Sequence, residues 1–213
     1  MKKMQKYSSA VFIALIIVSC GSGEKNEIKD TSEVVKGCFY SYNHTSSVLE
    51  WTAFKFTEKT GVKGTFNEII VESAQASSDE PLSLLKGLKF KIPTSSVETQ
   101  NEERNGKISG IFFKTLLTDT IRGLLKSIDS KKGTATIVIE MNGKTKEVPG
   151  KCLLEKGLFS FTSSIDVNDW NGSAAIKALN IACKDLHTGT DGKSKLWSTV
   201  DLSFKTELMS DCD

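Results

Sequence analysis

The sequence is poor in the residues from which most enzyme sites are built. Histidine occurs only as His44 and His187, both in polar, loop-like stretches, so a histidine-based triad or a three-histidine metal site lacks material. There is no Cys-x-x-Cys pair, and no glycine-rich phosphate loop followed by Lys and Ser or Thr, which removes the common zinc, thiol-redox and nucleotide signatures. Asp166, Asp169, Asp185 and Asp191 fall near one another, but strand alternation turns Asp166 outward and Asp169 stands where a helix cap is needed. No catalytic residue, cofactor or metal is therefore expected. Arginine is scarce too: among 28 basic residues only Arg104 and Arg122 are Arg. Nucleic-acid readers cluster their cations and use the bidentate guanidinium, whereas scattered Lys with a formal net charge of +2 describes a solvated surface. No apolar run reaches the roughly 20 residues of a bilayer-spanning helix.

What is present starts at the first residues. Lys2, Lys3 and Lys6 precede an unbroken apolar run from Ala10 to Val18, the layout of a signal peptide. The run closes with Ile17-Val18-Ser19-Cys20, which resembles the lipobox of bacterial lipoproteins, where the Cys is diacylated and becomes the first mature residue. The resemblance implies a signal peptide over residues 1–19, a lipid on Cys20, and a chain held on a membrane of the bacterial cell envelope, facing the periplasm or the cell surface. An ordinary secreted protein cut beside a Cys is the alternative. Residues 20–36, rich in Gly, Ser, Lys and Glu, read as a flexible tether. Residues 37–213 then form one domain, since that length buries one core well and two poorly.

Past the tether the dominant signal is period-two alternation. Leu196, Val200, Leu202, Phe204 and Leu208 share one side of the last stretch with Ser198 and Thr206, against Trp197, Thr199, Asp201, Ser203, Lys205 and Glu207. The same pattern sets Thr52, Phe54 and Phe56 against Ala53 and Lys55, Leu88, Phe90 and Ile92 against Lys89 and Lys91, Ala135, Ile137, Ile139 and Met141 against Thr134, Thr136 and Glu140, and Phe159, Phe161, Ile165 and Val167 against Ser160, Thr162 and Asp166. Such strands have one buried and one wet face and are antiparallel. With turns such as Asn142-Gly143 and Lys156-Gly157 between them, they predict a meander closed as a sandwich or barrel. One stretch breaks the rhythm: Trp170, Ala174, Ala178 and Ile181 recur at helical spacing, predicting a single amphipathic helix over Asp169–Leu186. A shorter helical turn over Ile111–Thr118 competes with a strand end.

Four places together resemble the YceI-like family. Val62-Lys63-Gly64-Thr65-Phe66 matches its Val-x-Gly-x-Phe turn. Ser96-Val97-Glu98-Thr99-Gln100-Asn101, Arg104 and Phe112-Phe113 resemble its next segment, with Glu98 and Asn105 standing where the family carries Asp. Asn142-Gly143-Lys144-Thr145-Lys146-Glu147-Val148 matches a later hairpin, and the order of strand, helix and closing strand agrees. The resemblance covers about Val48 to Leu208. It implies a mainly β fold, an extended lipocalin-like antiparallel barrel with one helix, enclosing an apolar tunnel that in several members holds a polyisoprenoid. Phe54, Phe56, Phe66, Phe90, Ile92, Ile137, Ile139, Phe161, Leu202 and Phe204, on the apolar sides of the strands, together with Phe112 and Phe113, are then the expected lipid contacts. A barrel filled by the same side chains, serving as a structural or adaptor lipoprotein without ligand, is the alternative.

Lipidation of Cys20 would leave Cys38, Cys152, Cys183 and Cys212, and four cysteines allow three pairings. In an up-and-down barrel the last strand pairs with the first, which puts Cys212 beside Cys38 and leaves Cys152 with Cys183. Free, buried thiols are the alternative.

Overall fold

The computed structural model describes residues 37–72 and 75–212; the expected signal peptide, lipidated Cys20 and tether lie outside them. The alternating stretches become the walls of a curled antiparallel sheet. Its strands are β1 (Cys38–Tyr42), β2 (Val48–Lys55), β3 (Thr60–Phe66), β4 (Ile70–Glu72), β5 (Ser77–Ser78), β6 (Lys89–Pro93), β7 (Val97–Glu98), β8 (Thr120–Asp129), β9 (Thr134–Met141), β10 (Lys144–Glu155), β11 (Leu158–Asp166) and β12 (Leu196–Cys212). The main ladder runs β4-β6-β8-β9-β10-β11-β12-β2-β3-β7.

The two ends of that path meet. β3 continues into β4, and β6 continues into β7, and these two lines pair with each other at Thr65↔Glu98 and again at Ile70↔Lys91. Five residue steps on one line face seven on the other. The surplus is taken up by a 3-10 turn at Thr94–Ser96, where the Asn67 N–H donates to the Ser96 carbonyl at 2.8 Å. Taking β1–β2, β3–β4 and β6–β7 as one line each, eight lines close the ring, a count that leaves an interior just wide enough for side chains or one small ligand.

β12 is the longest strand and fixes the two ends. β2 lies along it from Val48↔Lys205 to Lys55↔Leu196, and β1 takes over from Tyr42↔Leu208 to Cys38↔Cys212. The last register pair carries the disulfide, with Cα atoms 4.0 Å apart. The expected Cys152–Cys183 bond is corrected: both are free, buried thiols. Cys152 is in the core of the Cys38 end, whereas Cys183 follows the helix at the opposite end, so the barrel separates them.

At the Cys38 end a short helix, α1 (Pro81–Leu85), starts on Pro, which suits a first helical position. It presses the fully buried Leu84 and Leu85 onto Tyr42, Leu88, Leu125, Phe159 and Leu208, closing the barrel. The other end carries the helices. α2 (Glu102–Lys107) begins where Asn101 Oδ1 accepts the Arg104 N–H at 2.8 Å, then widens into a π-helical turn over Ile108–Phe113. The expected helix over Asp169–Leu186 is three pieces: a 3-10 turn at Val167–Trp170, α3 (Ser173–Ala182) and a 3-10 turn at Asp185–His187. The break falls at Asn171-Gly172, where Asn171 has φ 59° and a Cβ on Gly172 would stand 2.2 Å from Val167 Cγ1. Asp169 therefore caps nothing; Asp166 does, accepting the Asn168 N–H at 2.9 Å. Trp170, 1% exposed, then wedges into the wall and donates its Nε1–H to the Ile139 carbonyl at 3.2 Å.

Candidate functional site: an apolar cavity under a helical lid

Two chambers lie along the interior. The larger, about 160 Å³, is at the helical end, walled by Trp51, Phe66, Ile139, Met141, Ile165 and Leu202 and roofed by Ile108, Phe112, Phe113 and Leu116 after α2 and by Ile176 and Leu179 of α3. The smaller, about 60 Å³, lies toward the closed end among Leu88, Leu125, Ile137, Phe159, Phe161 and Phe204. Leu49, Phe90 and Ile92 line both, and so form the neck between them. Every lining side chain is apolar. An apolar cavity of about 150 Å³ stays dry and accepts an apolar guest.

Three interior rings owe their positions to glycines on adjoining strands. A Cβ on Gly64 would stand 2.2 Å from Trp51 Cζ2, one on Gly123 2.3 Å from Phe90 Cζ, and one on Gly150 2.5 Å from the Phe161 ring. Gly64 pairs directly with Trp51, and Gly123 with Phe90. The ring lies flat over a strand stripped of its side chain, which is how a narrow barrel admits large aromatics without filling its axis. This gives the glycine of Val62-Lys63-Gly64-Thr65-Phe66 its physical reason. The Trp51 Nε1–H, the indole's one polar group, reaches the Thr65 carbonyl at 3.3 Å.

Of the residues named from sequence, Phe66, Phe90, Ile92, Phe112, Phe113, Ile139 and Leu202 lie on the larger chamber, and Ile137, Phe161 and Phe204 on the smaller. Phe54 and Phe56 lie on neither, which corrects the reading of β2. Its inward residues are Leu49, Trp51 and Ala53. β2 carries apolar side chains on both faces, so alternation alone does not choose between them. Phe54 turns away from both chambers and lines the vestibule outside the roof, under the Lys59 ammonium, 4.8 Å from its ring. Phe56 has left the strand with φ 63°; its ring packs against Lys55 Nζ at 4.5 Å, and its carbonyl takes the Trp197 Nε1–H at 2.7 Å. Sequence reasoning named Phe112 and Phe113 of the roof but missed Ile108, Leu116, Ile176 and Leu179. Ile176 and Leu179 carry the helical spacing that could have assigned them, but Ile108 comes directly after a wholly polar turn.

Outside the roof a vestibule of about 270 Å³ shares Trp51, Ala53, Ile108, Leu179 and Leu196 with the larger chamber and adds Lys55, Asn101, Glu103, Arg104, Lys107, Cys183, Leu186 and His187. Polar groups thus gather at the mouth, while both chambers are lined by apolar side chains; the buried Thr206 hydroxyl at the closed end is satisfied by Ser46 and Ser47 at 3.2 and 3.1 Å. Lys107 Nζ meets Glu103 at 2.6 Å, and this hydrogen bond holds the Glu103 carboxyl below its ordinary range. Lys55 Nζ donates to the Leu186 carbonyl at 3.1 Å, tying the rim to β2. His187 Nδ1 is 3.0 Å from Asn180 Oδ1, and burial, then the charges of Lys55 and Lys107, push its pKa below the usual value. The loop leading to α2 keeps its acceptors despite its two departures from the family pattern. Asn105 Oδ1 accepts from Thr99 N at 2.9 Å and Thr99 Oγ1 at 2.6 Å, and the Glu98 carboxylate accepts the Gln100 N–H.

The fold recurs in solved structures. A polyisoprenoid binding domain from Saccharophagus degradans implicated in plant cell wall breakdown aligns with TM-score 0.55 and 14% identity over 82% of this chain and 98% of its own. Burkholderia cenocepacia BcnA aligns with TM-score 0.53 and 13% identity over 79% of this chain and 99% of its own. A Campylobacter jejuni YCEI protein gives TM-score 0.50 and 17% identity over 72% of this chain and 87% of its own. At such identities the likeness establishes the fold alone. Comparison with curated proteins returns no match. The model of the YceI-like domain, however, matches residues 40–208, which is all of the barrel but the outer ends of β1 and β12, and the chain belongs to that family.

Proposed function

We propose that the chain is an envelope lipoprotein, lipidated on Cys20, that holds an apolar lipid of the polyisoprenoid class in its barrel and releases it unchanged. The observation that carries this reading is the pair of chambers lined by apolar side chains, sharing a neck at Leu49, Phe90 and Ile92, the larger of them bordering a polar vestibule. Each buried CH₂ of a guest contributes roughly 0.8 kcal/mol, so a hydrocarbon chain needs no polar partner inside. A guest with polar groups along its length would leave them unsatisfied. The polyisoprenoid class is carried over from what is stated of the Saccharophagus domain. The short apolar run before Cys20 supports the anchor, and the Cys38–Cys212 disulfide suits an oxidising compartment. That bond lies at the end of β12 farthest from the mouth.

Solvent extraction of the purified protein with mass spectrometry of the extract tests the cargo. Stoichiometric polyprenyl species are expected, while a lipid-free protein that takes up none on incubation with polyprenol in detergent would favour the filled-barrel adaptor. Labelled palmitate tests the anchor. Label is expected in the wild-type chain and absent from Cys20→Ala, and an unlabelled wild type overturns it.

A further inference from the structure

Nearly every described glycine has a steric or conformational reason to be glycine. It either holds a positive φ, as at Gly87, Gly143 and Gly157, or would set a Cβ within 3.1 Å of a neighbouring atom, as at Gly64, Gly123 and Gly172. Gly106 and Gly110 alone among the described residues have neither reason: a Cβ at each would meet nothing within 4 Å, and neither φ is positive. Both stand in helical backbone, Gly106 in α2 and Gly110 in the π-helical turn after it, where Gly is disfavoured against Ala. What glycine adds at such a position is backbone freedom. The segment they punctuate is loosely built. α2 has no buried residue, and among the described residues its side-chain hydrogen bonds and ion pair all end within residues 98–109. The Ile108 N–H is shared between the Arg104 and Asn105 carbonyls, and Ser109 Oγ donates to the Asn105 carbonyl at 2.9 Å, a bond of the kind that bends helices. π-helical turns are rare and collect at functional sites. Between the two glycines stands Ile108, which lines both the larger chamber and the vestibule and so partitions them.

We infer that residues 102–112 form a gate, hinged at Gly106 and Gly110, that swings Ile108 and Phe112 off the larger chamber to pass the cargo and sets the rate of binding without setting its strength. The inference rests on the proposed lipid-holding function. A chain-like guest must displace part of the boundary between vestibule and chamber. The strands are fixed by the closed ladder, α3 by the buried Ala175 and Cys183, and the far end of the π-helical turn by the buried Phe113 and Leu116. The stretch with no buried residue moves most easily, and Ile108 moves with it. Hinges are a few positions that absorb a change in φ and ψ, which glycine does with least steric hindrance. Alanine at either position favours the helical, closed backbone over the open one. Uptake and release both pass through the open state, so both slow by the same factor while affinity holds.

The full-length protein in detergent is mixed with a fluorescent polyprenol to follow uptake, and chased with unlabelled polyprenol to follow release. In the double variant Gly106→Ala/Gly110→Ala both rates should fall by about tenfold, the scale of two Gly-to-Ala exchanges in a helix, while Kd holds and Tm is no lower than in the wild type. Asn101→Ala perturbs the same segment in the opposite sense. It removes the cap that accepts the Arg104 N–H, and both rates should rise several-fold. Hydrogen exchange read by mass spectrometry follows the segment without cargo: amides of residues 102–112 should exchange faster than those of α3, more slowly in the double variant and faster still in Asn101→Ala. Rates indifferent to both variants, or exchange over 102–112 as slow as in α3, overturn the gate. Slower uptake with weakened affinity in the double variant overturns it too, since the new methyls would then obstruct the site. A wild type that takes up no polyprenol overturns the cargo reading instead, and the exchange pattern then judges the hinge by itself.

Discussion

The neck residue Phe90 offers the sharpest test of a hollow barrel. Its ring lies over Gly123 and lines both chambers. Phe90→Ala removes the ring and joins a space of about 160 Å³ to one of about 60 Å³. In a filled core Phe→Ala costs about 3–5 kcal/mol. Here the ring already borders empty space on two sides and loses fewer contacts, so about 2 kcal/mol is expected, or about 4–8 °C in Tm for a domain of this size. A longer guest should reverse that loss. One further five-carbon isoprenoid unit in the joined chamber supplies roughly 4 kcal/mol of gross transfer free energy. The assay is differential scanning calorimetry of wild type and Phe90→Ala with polyprenols of increasing length, alongside mass spectrometry of the lipid each variant retains. The variant should melt low without ligand, recover with the longer chains, and shift the retained lipids to greater length. A loss of 4 kcal/mol or more that no polyprenol restores would mean that Phe90 sits in a solid core.

Three further outcomes depend on particular contacts. Gly64→Ala places a methyl 2.2 Å from Trp51, and the overpacking should cost about 1–3 kcal/mol; a wild-type thermal melt would refute the ring-over-glycine arrangement. The Cys38–Cys212 bond spans 174 residues, for which loop-closure entropy gives on the order of 5 kcal/mol. The double Cys→Ala variant should therefore unfold at much lower denaturant, and non-reducing peptide maps should show Cys152 and Cys183 unlinked. His187 resists protonation when folded because of burial and its neighbouring Lys55 and Lys107, so its folded pKa lies below the 6.5 of the free side chain. The unfolded chain then binds the extra proton, and stability is full above pH 6.5 and falls as pH drops from there toward the folded value. Between pH 7 and 5 the wild type should lose more Tm than His187→Gln, and equal losses would remove His187 from the account.

Sequence alone determined the strands, because period-two alternation in a stretch such as Leu196–Leu208 has one physical solution, a strand with a wet face and a dry one. It left three cysteine pairings open, and only the barrel topology expected from it favoured Cys38–Cys212, the pair that the structure joins; it also placed most of the cavity wall. It did not determine which face of β2 looks inward, since Leu49 and Trp51 oppose Val48 and Phe54, and only pairing with β12 at Trp51↔Leu202 decides between two plausible faces. Nor could it reveal α2, whose Glu102–Lys107 turn has no apolar face and is set by the Asn101 cap at its start and the π-helical turn at its end. The separation of Cys152 from Cys183, the neck at Phe90 and the lid over the mouth were decided by tertiary structure. Each depends on distances between residues far apart in the chain, which local patterning does not encode and which exist only once the ring has closed.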